Sequence, residues 1–232
     1  MTDHGLNGPE KTFGNKYMTP QDASKITREI CSRAPVIPVL VVREATAARP
    51  LAEALIAGGL PALEVTLRTP AALDTIRAMA DVPGGIVGAG TLITPADVRA
   101  AKAAGAQFGV SPGATDALIQ ACEAENLPLL AGSATATEAM RLLERGYDVQ
   151  KFFPAGAAGG APALKAIGAP LPQIAFCPTG GVSAANAGDY LSLPNVLCVG
   201  GSWVAPAALL AKGAWDEIES LARAAATTES AA

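Results

Sequence analysis

Residues 62–110 read ALEVTLRTPAALDTIRAMADVPGGIVGAGTLITPADVRAAKAAGAQFGV. Short apolar runs alternate in this stretch with longer Ala-rich runs, a pattern that predicts β-strands alternating with α-helices. The alternation continues through most of the chain, after a first helix predicted from Pro20 to about Arg33. The eight predicted strands are Val36–Val42, Ala62–Leu67, Ile86–Gly90, Gln107–Val110, Leu127–Ala131, Asp148–Phe153, Gln173–Phe176 and Val196–Gly200.

Capping and turn residues mark the ends of the helices. Thr69-Pro70 and Thr94-Pro95 each place a capping hydroxyl before a proline at the first helical position. Thr135 with Glu138 predicts a capping box. The predicted helix ends are Gly59, Gly84, Gly105, Asn126, Gly146 and Gly168.

Eight strand–helix units in one domain predict an α/β fold, a (β/α)8 TIM barrel with an extra N-terminal helix. A doubly wound open sheet is the competing fold. Such a sheet usually carries a GxGxxG turn after its first strand, and VVREATAA, which begins at Val41, lacks one. The barrel domain is predicted to span residues 20–226. Residues 1–19 are polar and aperiodic, which predicts a flexible extension, and residues 227–232 are expected to form a disordered tail.

The composition argues against several classes of function. The chain has 232 residues, a net charge of -4 and 17 Lys plus Arg without a run, so neither nucleic acid nor a membrane is an expected partner. Cys31, Cys122, Cys177 and Cys198 form no CxxC pair, and with the single His4 they offer no metal-ligand cluster. We therefore expect no metal and no disulfides. No stretch has the pattern of a secretory h-region or a membrane span, which predicts reduced thiols in the cytoplasm.

Lys151 lies in YDVQKFFPA, residues 147–155, a segment that otherwise has the pattern of a buried strand. If Val149, Lys151 and Phe153 share one face by the two-residue period, the ammonium points into an apolar interior that disfavours its charged form. A neutral lysine attacks ketones and aldehydes to give a Schiff base, which predicts carbonyl chemistry. The alternative is a lysine with a buried stem and a solvated head, and this segment alone does not decide between the two.

Glu64, Thr66 and Arg68 alternate with apolar residues in the second strand, so they share one side of it. If that side faces the barrel interior, Glu64 is a buried acid with a raised pKa, available for proton transfer. Arg68 then presents a planar guanidinium suited to a substrate carboxylate. The alternative is a Glu64–Arg68 ion pair with a structural role only. The candidate nucleophile four strands further along favours the catalytic interpretation.

Chemistry in a barrel takes place at the C-terminal ends of the strands. The third strand ends in Gly90 and Thr91 and the fourth in Ser111-Pro112-Gly113, where a ligand could approach, although both are also compatible with ordinary turns. Glycine-rich segments follow the seventh strand, at Cys177–Gly181, and the eighth, at Gly200–Ser202. Loops at these two positions are the usual phosphate site of a barrel, because backbone N–H groups suit a dianion.

Together these segments resemble the 2-keto-3-deoxy-6-phosphogluconate (KDPG) aldolases, also described as 4-hydroxy-2-oxoglutarate (KHG) aldolases. The similarity covers about Ser24 to Ala224, and its most specific stretches are EVTLRT, GAGT, SPG, KFFPA, FCPTGG and GGSW. The family consists of class I aldolases on a trimeric (β/α)8 barrel, so the resemblance implies a homotrimer without a metal or organic cofactor. Ser133, Ala134 and the first 19 residues or so depart from the family pattern, and none of them carries a catalytic role.

The resemblance also implies roles for individual residues. Lys151 corresponds to the Schiff-base lysine and Glu64 to the general acid/base. The implied substrate contacts are Arg68 and Thr91 around the pyruvyl carboxylate, the pocket walls Pro112 and Phe153, Thr179 beside the pyruvyl group, and Gly180, Gly181, Gly201 and Ser202 at the phosphate. The implied reaction is cleavage of the phosphorylated keto acid KDPG to pyruvate and glyceraldehyde 3-phosphate, with cleavage of KHG to pyruvate and glyoxylate as a second activity.

Two other functions remain open at this point. A barrel isomerase or phosphosugar synthase would use the same phosphate loops, with Lys151 as a charged ligand rather than a nucleophile. A catalytically idle phospholigand-binding module would lack the combination of Glu64, Arg68 and Lys151. Borohydride trapping with pyruvate separates the aldolase from the isomerase.

Overall fold

The computed structural model describes residues 17–228, whose strands form one parallel eight-stranded sheet. From β1 to β7 each strand pairs with the next along the chain, and β8 pairs with β1. Bridges from Phe176 to Val196 and from Thr179 to Gly200 join the remaining two edges, so the sheet is a nearly closed barrel. The strands are β1 Val36–Leu40, β2 Ala62–Thr66, β3 Ile86–Gly90, β4 Phe108–Val110, β5 Leu129–Ser133, β6 Val149–Phe152, β7 Ala175–Pro178 and β8 Val199–Gly201.

The helices follow the order predicted for a (β/α)8 fold, which is confirmed. One helix precedes the barrel, one follows each of β1 to β7, and two follow β8. A short 3-10 turn, Ala45–Ala47, lies between β1 and its helix. The helices are α1 Pro20–Cys31, α2 Ala48–Ala57, α3 Ala72–Ala80, α4 Pro95–Ala103, α5 Asp116–Ala124, α6 Ala136–Arg145, α7 Gly160–Gly168, α8 Ala187–Leu191, α9 Ala207–Lys212 and α10 Trp215–Ala226.

Several strands begin later than the apolar pattern predicts. The sequence places the fifth strand at Leu127–Ala131, whereas β5 spans Leu129–Ser133. Leu127 is buried, but its N–H donates to the Cys122 carbonyl oxygen (2.9 Å), so this residue belongs to the turn after α5. In the same way β7 begins at Ala175 instead of Gln173, and β8 at Val199 instead of Val196. Apolar composition marks a buried stretch, but pairing with the neighbouring strand decides where the strand begins.

The predicted helix starts are confirmed at two places and wrong at a third. Thr94 and Thr135 each form a capping box at the beginning of α4 and α6. Thr69 does not cap a helix, because α3 begins at Ala72 and the Thr69 hydroxyl donates to the Val42 carbonyl oxygen (2.5 Å). Thr69 therefore ties the loop after β2 to the loop after β1.

Helix α1 closes the N-terminal end of the barrel. Its Ile30 belongs to the apolar cluster that fills the barrel interior. The Ser24 hydroxyl donates to the Gly146 carbonyl oxygen (3.2 Å), and Arg28 forms an ion pair with Asp148 (3.1 Å), both just before β6. The C-terminal ends of the strands lie at the opposite end. The interior cluster consists of Ile30, Cys31, Ile37, Ala62, Phe108, Val110, Leu130, Val149, Ala175, Cys177 and Cys198.

The termini of the described chain contact the fold. The Met18 N–H donates to the Glu123 carbonyl oxygen (3.2 Å), and the Thr19 hydroxyl accepts from the Asp22 N–H (3.1 Å) at the start of α1. The last helix ends at Ala226. The rest of the predicted extension and tail, residues 1–16 and 229–232, lies outside the described residues.

Residues 17–228 contain neither a candidate membrane-spanning helix nor a candidate metal-ligand cluster. No helix in this range combines the length and apolar character needed to cross a membrane. No group of three or more His, Cys, Asp or Glu side chains in the same range is arranged to hold a metal ion. The four cysteines are buried and free.

Candidate active site

A cavity of about 310 Å³ opens at the C-terminal ends of the strands. Its size falls within the range of small-molecule sites, about 300–1,000 Å³. All but one of the predicted site residues line it, although they come from loops and strands on every side of the barrel. The lining residues are Val39, Glu64, Thr66, Arg68, Thr91, Pro112, Lys151, Phe153, Thr179, Gly180, Gly181, Val182, Gly200 and Ser202.

Glu64 and Lys151 meet in the barrel interior from opposite walls. Their strands, β2 and β6, are four positions apart in the ring, yet Lys151 Nζ lies 3.4 Å from Glu64 Oε1. The Lys151 side chain is only 6% exposed and the Glu64 side chain 3%. The alternative interpretation requires a solvated lysine head, and the lysine is instead buried. The ammonium also lies 5.1 Å from the centroid of the Phe153 ring, within cation–π distance. A buried amine beside a carboxyl group is an arrangement that allows nucleophilic attack coupled to proton transfer.

Burial raises the pKa of Glu64 above its usual value, and the neighbouring Lys151 charge opposes that shift. A raised pKa brings proton exchange by this carboxyl group closer to neutral pH, as general acid/base catalysis requires. Among the described residues Glu64 forms its ion pair with Lys151 and none with Arg68. The hypothesis that Glu64 and Arg68 form a structural ion pair is therefore wrong.

Gly90 on β3 makes room for the Glu64 carboxyl group. A Cβ atom at this position would lie 2.2 Å from Glu64 Oε1, closer than two unbonded atoms can approach. The neighbouring Thr91 has φ 63°, a left-handed conformation that β-branched residues rarely adopt. Strained backbone of this kind occurs preferentially at ligand and catalytic sites.

Arg68 lies at the rim of the cavity, just beyond the end of β2. It is exposed, and it forms no ion pair with any residue in the range 17–228. A guanidinium with free N–H groups at the mouth of a cavity can receive a carboxylate in a bidentate manner.

Another part of the cavity rim is formed by the loops after β7 and β8. Gly180 and Gly181 have φ values of 90° and 78°, a conformation that glycine adopts at no steric cost. Ser202 is exposed at the cavity and adds a hydroxyl donor. Neutral backbone and hydroxyl donors at this position of a barrel suit a phosphate group.

Gly201 is the one predicted site residue that does not line the cavity. A Cβ atom there would lie 1.8 Å from a ring atom of Trp203, so the residue faces that indole. Gly200 lines the cavity in its place. The two glycines are adjacent in sequence, and only the register of β8 on β1, with Ile37 opposite Gly200, decides between them.

Three further cavity residues escaped the sequence-based assignment of roles. Thr66 has a detectable signal, because it alternates with Glu64 and Arg68 on the same side of β2. Val39 and Val182 have none, since an isolated valine in an apolar strand or after a glycine pair is indistinguishable from core. Val39 enters the site because it lies opposite Glu64 in the β1–β2 pairing.

Known proteins resemble this chain over most of its length. The family model described as "KDPG and KHG aldolase" matches residues 27–221. The chain belongs to this aldolase family. Its curated relatives include the 2-dehydro-3-deoxy-phosphogluconate aldolase of Pseudoalteromonas atlantica, 51% identical over 198 residues, which are 85% of this chain and 92% of the relative. Family membership and this degree of identity identify the chain as an aldolase, a carbon–carbon lyase.

Two solved aldolase structures have the same fold. The KDPG aldolase of Zymomonas mobilis with 3-phosphoglycerate superimposes with a TM-score of 0.84 at 45% identity and covers 90% of this chain and 98% of its own. The KDPG aldolase of Legionella pneumophila, with pyruvate captured as a covalent carbinolamine intermediate, gives a TM-score of 0.83 at 45% identity over 90% of this chain and 99% of its own.

Proposed function

We propose that this aldolase cleaves KDPG to pyruvate and glyceraldehyde 3-phosphate through a Schiff base on Lys151. The observation that carries the proposal is the buried pair itself, with Lys151 Nζ 3.4 Å from Glu64 Oε1 at the base of the cavity. The covalent pyruvate carbinolamine in the Legionella relative supports the same chemistry. Cleavage of KHG to pyruvate and glyoxylate is proposed as a second, weaker activity.

The first half of the reaction forms the covalent intermediate. The neutral Lys151 amine attacks the C2 carbonyl carbon of the substrate to give a carbinolamine. Glu64, directly or through a water molecule, protonates the departing hydroxyl group, and water leaves to form an iminium ion. A carboxyl group with a raised pKa is suited to this step because it holds a proton closer to neutral pH.

The second half of the reaction breaks the C3–C4 bond and releases the two products. Glu64 takes the proton of the C4 hydroxyl, the C3–C4 bond breaks, and its electron pair moves toward the iminium nitrogen to give an enamine. Glyceraldehyde 3-phosphate leaves with the new carbonyl group. Glu64 then returns a proton to C3, and hydrolysis of the resulting imine releases pyruvate and the Lys151 amine.

The two rims of the cavity hold the ends of the substrate in this proposal. Arg68 binds the carboxylate next to the reacting carbonyl, and Thr91 borders the pyruvyl group. Pro112, Phe153 and Thr179 form the walls around it. Gly180, Gly181 and Ser202 bind the phosphate at the far end, with Gly200 in the place that the sequence assigns to Gly201. Binding of the remote phosphate orients the reacting carbons.

Borohydride reduction in the presence of pyruvate tests the proposal. Reduction converts a Schiff base into a stable amine, so peptide mass spectrometry should locate the pyruvyl adduct on Lys151 alone. The adduct should disappear in Lys151→Ala and persist in Lys165→Ala, which removes an exposed lysine of α7. Labelling at another lysine in Lys151→Ala would overturn the assignment, and no labelling of the unmodified protein would favour an isomerase or synthase.

The proposal also includes a cytoplasmic homotrimer. The four free, buried cysteines fit a reducing compartment. The large apolar side chains of Ile93 and Met140 remain exposed on the single chain, at 61% and 47%. Their exposure fits an association surface. The family resemblance supports a threefold assembly.

A further inference from the structure

Thr66 makes two hydrogen bonds at the edge of the cavity, and neither serves the chemistry directly. The side chain is buried, with the residue 2% exposed. Its Oγ1 donates to the Leu40 carbonyl oxygen at the end of β1 (2.8 Å) and lies 3.3 Å from Arg68 Nε. A threonine hydroxyl has one proton. Because that proton is directed to Leu40, the oxygen can only accept from the Arg68 guanidinium.

The backbone brings Arg68 back over Thr66. The Arg68 N–H donates to the Thr66 carbonyl oxygen (2.8 Å), which turns the chain immediately after β2. The guanidinium itself is exposed and has no carboxylate partner among residues 17–228. The Thr66 oxygen is therefore the hydrogen-bond acceptor of the Arg68 side chain within residues 17–228, and this hydrogen bond occupies Nε alone. The terminal N–H groups remain free for a ligand.

We propose that Thr66 is a positioning residue that orients the Arg68 guanidinium for the carboxylate of the keto acid. This inference rests on the proposed function, in which Arg68 binds that carboxylate. An arginine side chain has large rotational freedom, which a ligand must otherwise restrict on binding. By holding Nε in the free protein, Thr66 removes part of that cost and fixes the plane of the guanidinium.

The expected kinetic signature is weaker carboxylate binding with little loss of turnover. The carboxylate is held in the ground state and in the transition state alike, so losing its orientation raises KM more than it lowers kcat. One ordinary hydrogen bond corresponds to a change of about fivefold to tenfold. Trapping of a ketone without a carboxylate, such as acetone, should not change when the Thr66 hydroxyl is lost.

The test compares Thr66→Val and Thr66→Ala with Thr66→Ser, using borohydride trapping to measure the half-saturating concentration of pyruvate. Valine and alanine remove the acceptor, and either variant that folds carries the test. We expect both to raise the half-saturating pyruvate concentration about fivefold to tenfold. Serine keeps the hydroxyl and should restore the unmodified value.

Thr69→Val is the matched control. Thr69 also donates its hydroxyl to a main-chain carbonyl of the neighbouring loop, that of Val42, but its hydroxyl makes no hydrogen bond to the Arg68 guanidinium, which donates to Thr66. Its replacement should leave pyruvate saturation unchanged. An equal effect of Thr66→Val and Thr69→Val would overturn the proposal, because it would reduce Thr66 to a link between β1 and β2.

A double-mutant cycle completes the test. In an Arg68→Met background, Thr66→Val should produce no further loss of pyruvate affinity, and acetone trapping should be the same with and without the Thr66 hydroxyl. Additive losses would overturn the positioning role. Failure of the unmodified protein to trap pyruvate would instead overturn the proposed function, so the two failures are distinguishable.

Discussion

Glu64 and Lys151 form a buried pair in which one carboxyl group handles every proton of the proposed reaction. Replacing it with the isosteric amide, Glu64→Gln, removes the proton transfer while keeping the shape of the site. We expect kcat to fall by about 10²- to 10⁴-fold, the usual effect of losing a positioned acid/base. Pyruvate should still bind, which trapping at long reaction times can measure.

Glu53→Gln on the exposed face of α2 is a suitable control for this variant. Glu53 is 55% exposed and pairs with Arg49 on the same helix, far from any catalytic role. Its replacement should leave kcat unchanged. Near-normal turnover in Glu64→Gln would reduce Glu64 to the counter-ion of Lys151.

The pH dependence of kcat/KM follows from the raised pKa of Glu64, whose main cause is burial. In the proposed reaction Glu64 must be a carboxylate to accept the proton of the C4 hydroxyl. Activity should therefore fall as pH drops through the folded-state pKa of Glu64, at a midpoint above the ordinary value of 4.5.

Glu64→Gln should lack this acidic decline over the range in which the protein stays folded. Initial rates across that range, with folding followed by circular dichroism, check the prediction. A midpoint at or below the ordinary glutamate value, or the same decline in the variant, would assign the effect to another group.

The loops after β7 and β8 are expected to set the preference of the enzyme between KDPG and KHG. If their backbone N–H groups and Ser202 bind a phosphate, KDPG gains transition-state stabilisation that KHG, which ends in a carboxylate, does not. We expect kcat/KM to favour KDPG by about 10²- to 10³-fold. Ser202→Ala should narrow the ratio, whereas Ser220→Ala on the exposed face of α10 should not. Equal values for the two substrates would refute the phosphate site.

Helix α1 is an integral part of the barrel core. Ile30 is 6% exposed and packs into the interior cluster, so Ile30→Ala should lower the free energy of unfolding by about 2–5 kcal/mol. Lys25→Ala on the exposed face of the same helix should change it by less than about 0.5 kcal/mol. Denaturant titration measures both. Equal stabilities of the two variants would mean that α1 is only loosely attached.

Strand boundaries show where local pattern stops being informative. The apolar run from Leu127 predicts a strand that begins there. The Leu127 N–H instead donates to the Cys122 carbonyl oxygen at the end of α5, and β5 begins two residues later at Leu129. Thr69-Pro70 has the local chemistry of a helix start, yet its hydroxyl bonds to Val42 across the gap between two loops. In both cases a long-range or helix-end hydrogen bond competes with the local signal and prevails.

The whole molecule is predicted to be a trimer. Association would bury exposed apolar side chains such as Ile93 and Met140, which the single chain leaves in contact with water. Light scattering at micromolar concentration should give three times the mass of the chain. A monomer at that concentration would contradict the prediction, and the active-site proposals would remain as they are.

The barrel, and most of the residues that line its cavity, could be predicted from the sequence. Alternation of apolar and Ala-rich runs, caps and glycines are local properties, so the order of strands and helices follows from neighbours a few residues apart. The two-residue period places Glu64, Thr66 and Arg68 on one side of a strand and Lys151 within another. The family resemblance then assigns roles to residues at the strand ends.

Which of these side chains touch becomes visible only in the folded chain. Lys151 and Glu64 are 87 residues apart and come from opposite walls, and closure of the barrel brings them within 3.4 Å. The folded structure also shows that Glu64 pairs with Lys151 and not with Arg68, and that Gly200 lines the cavity whereas Gly201 does not. It places the Thr66 hydroxyl between Leu40 and Arg68. Such contacts depend on strand register and barrel curvature, which sum interactions over the whole chain, and no local pattern encodes them.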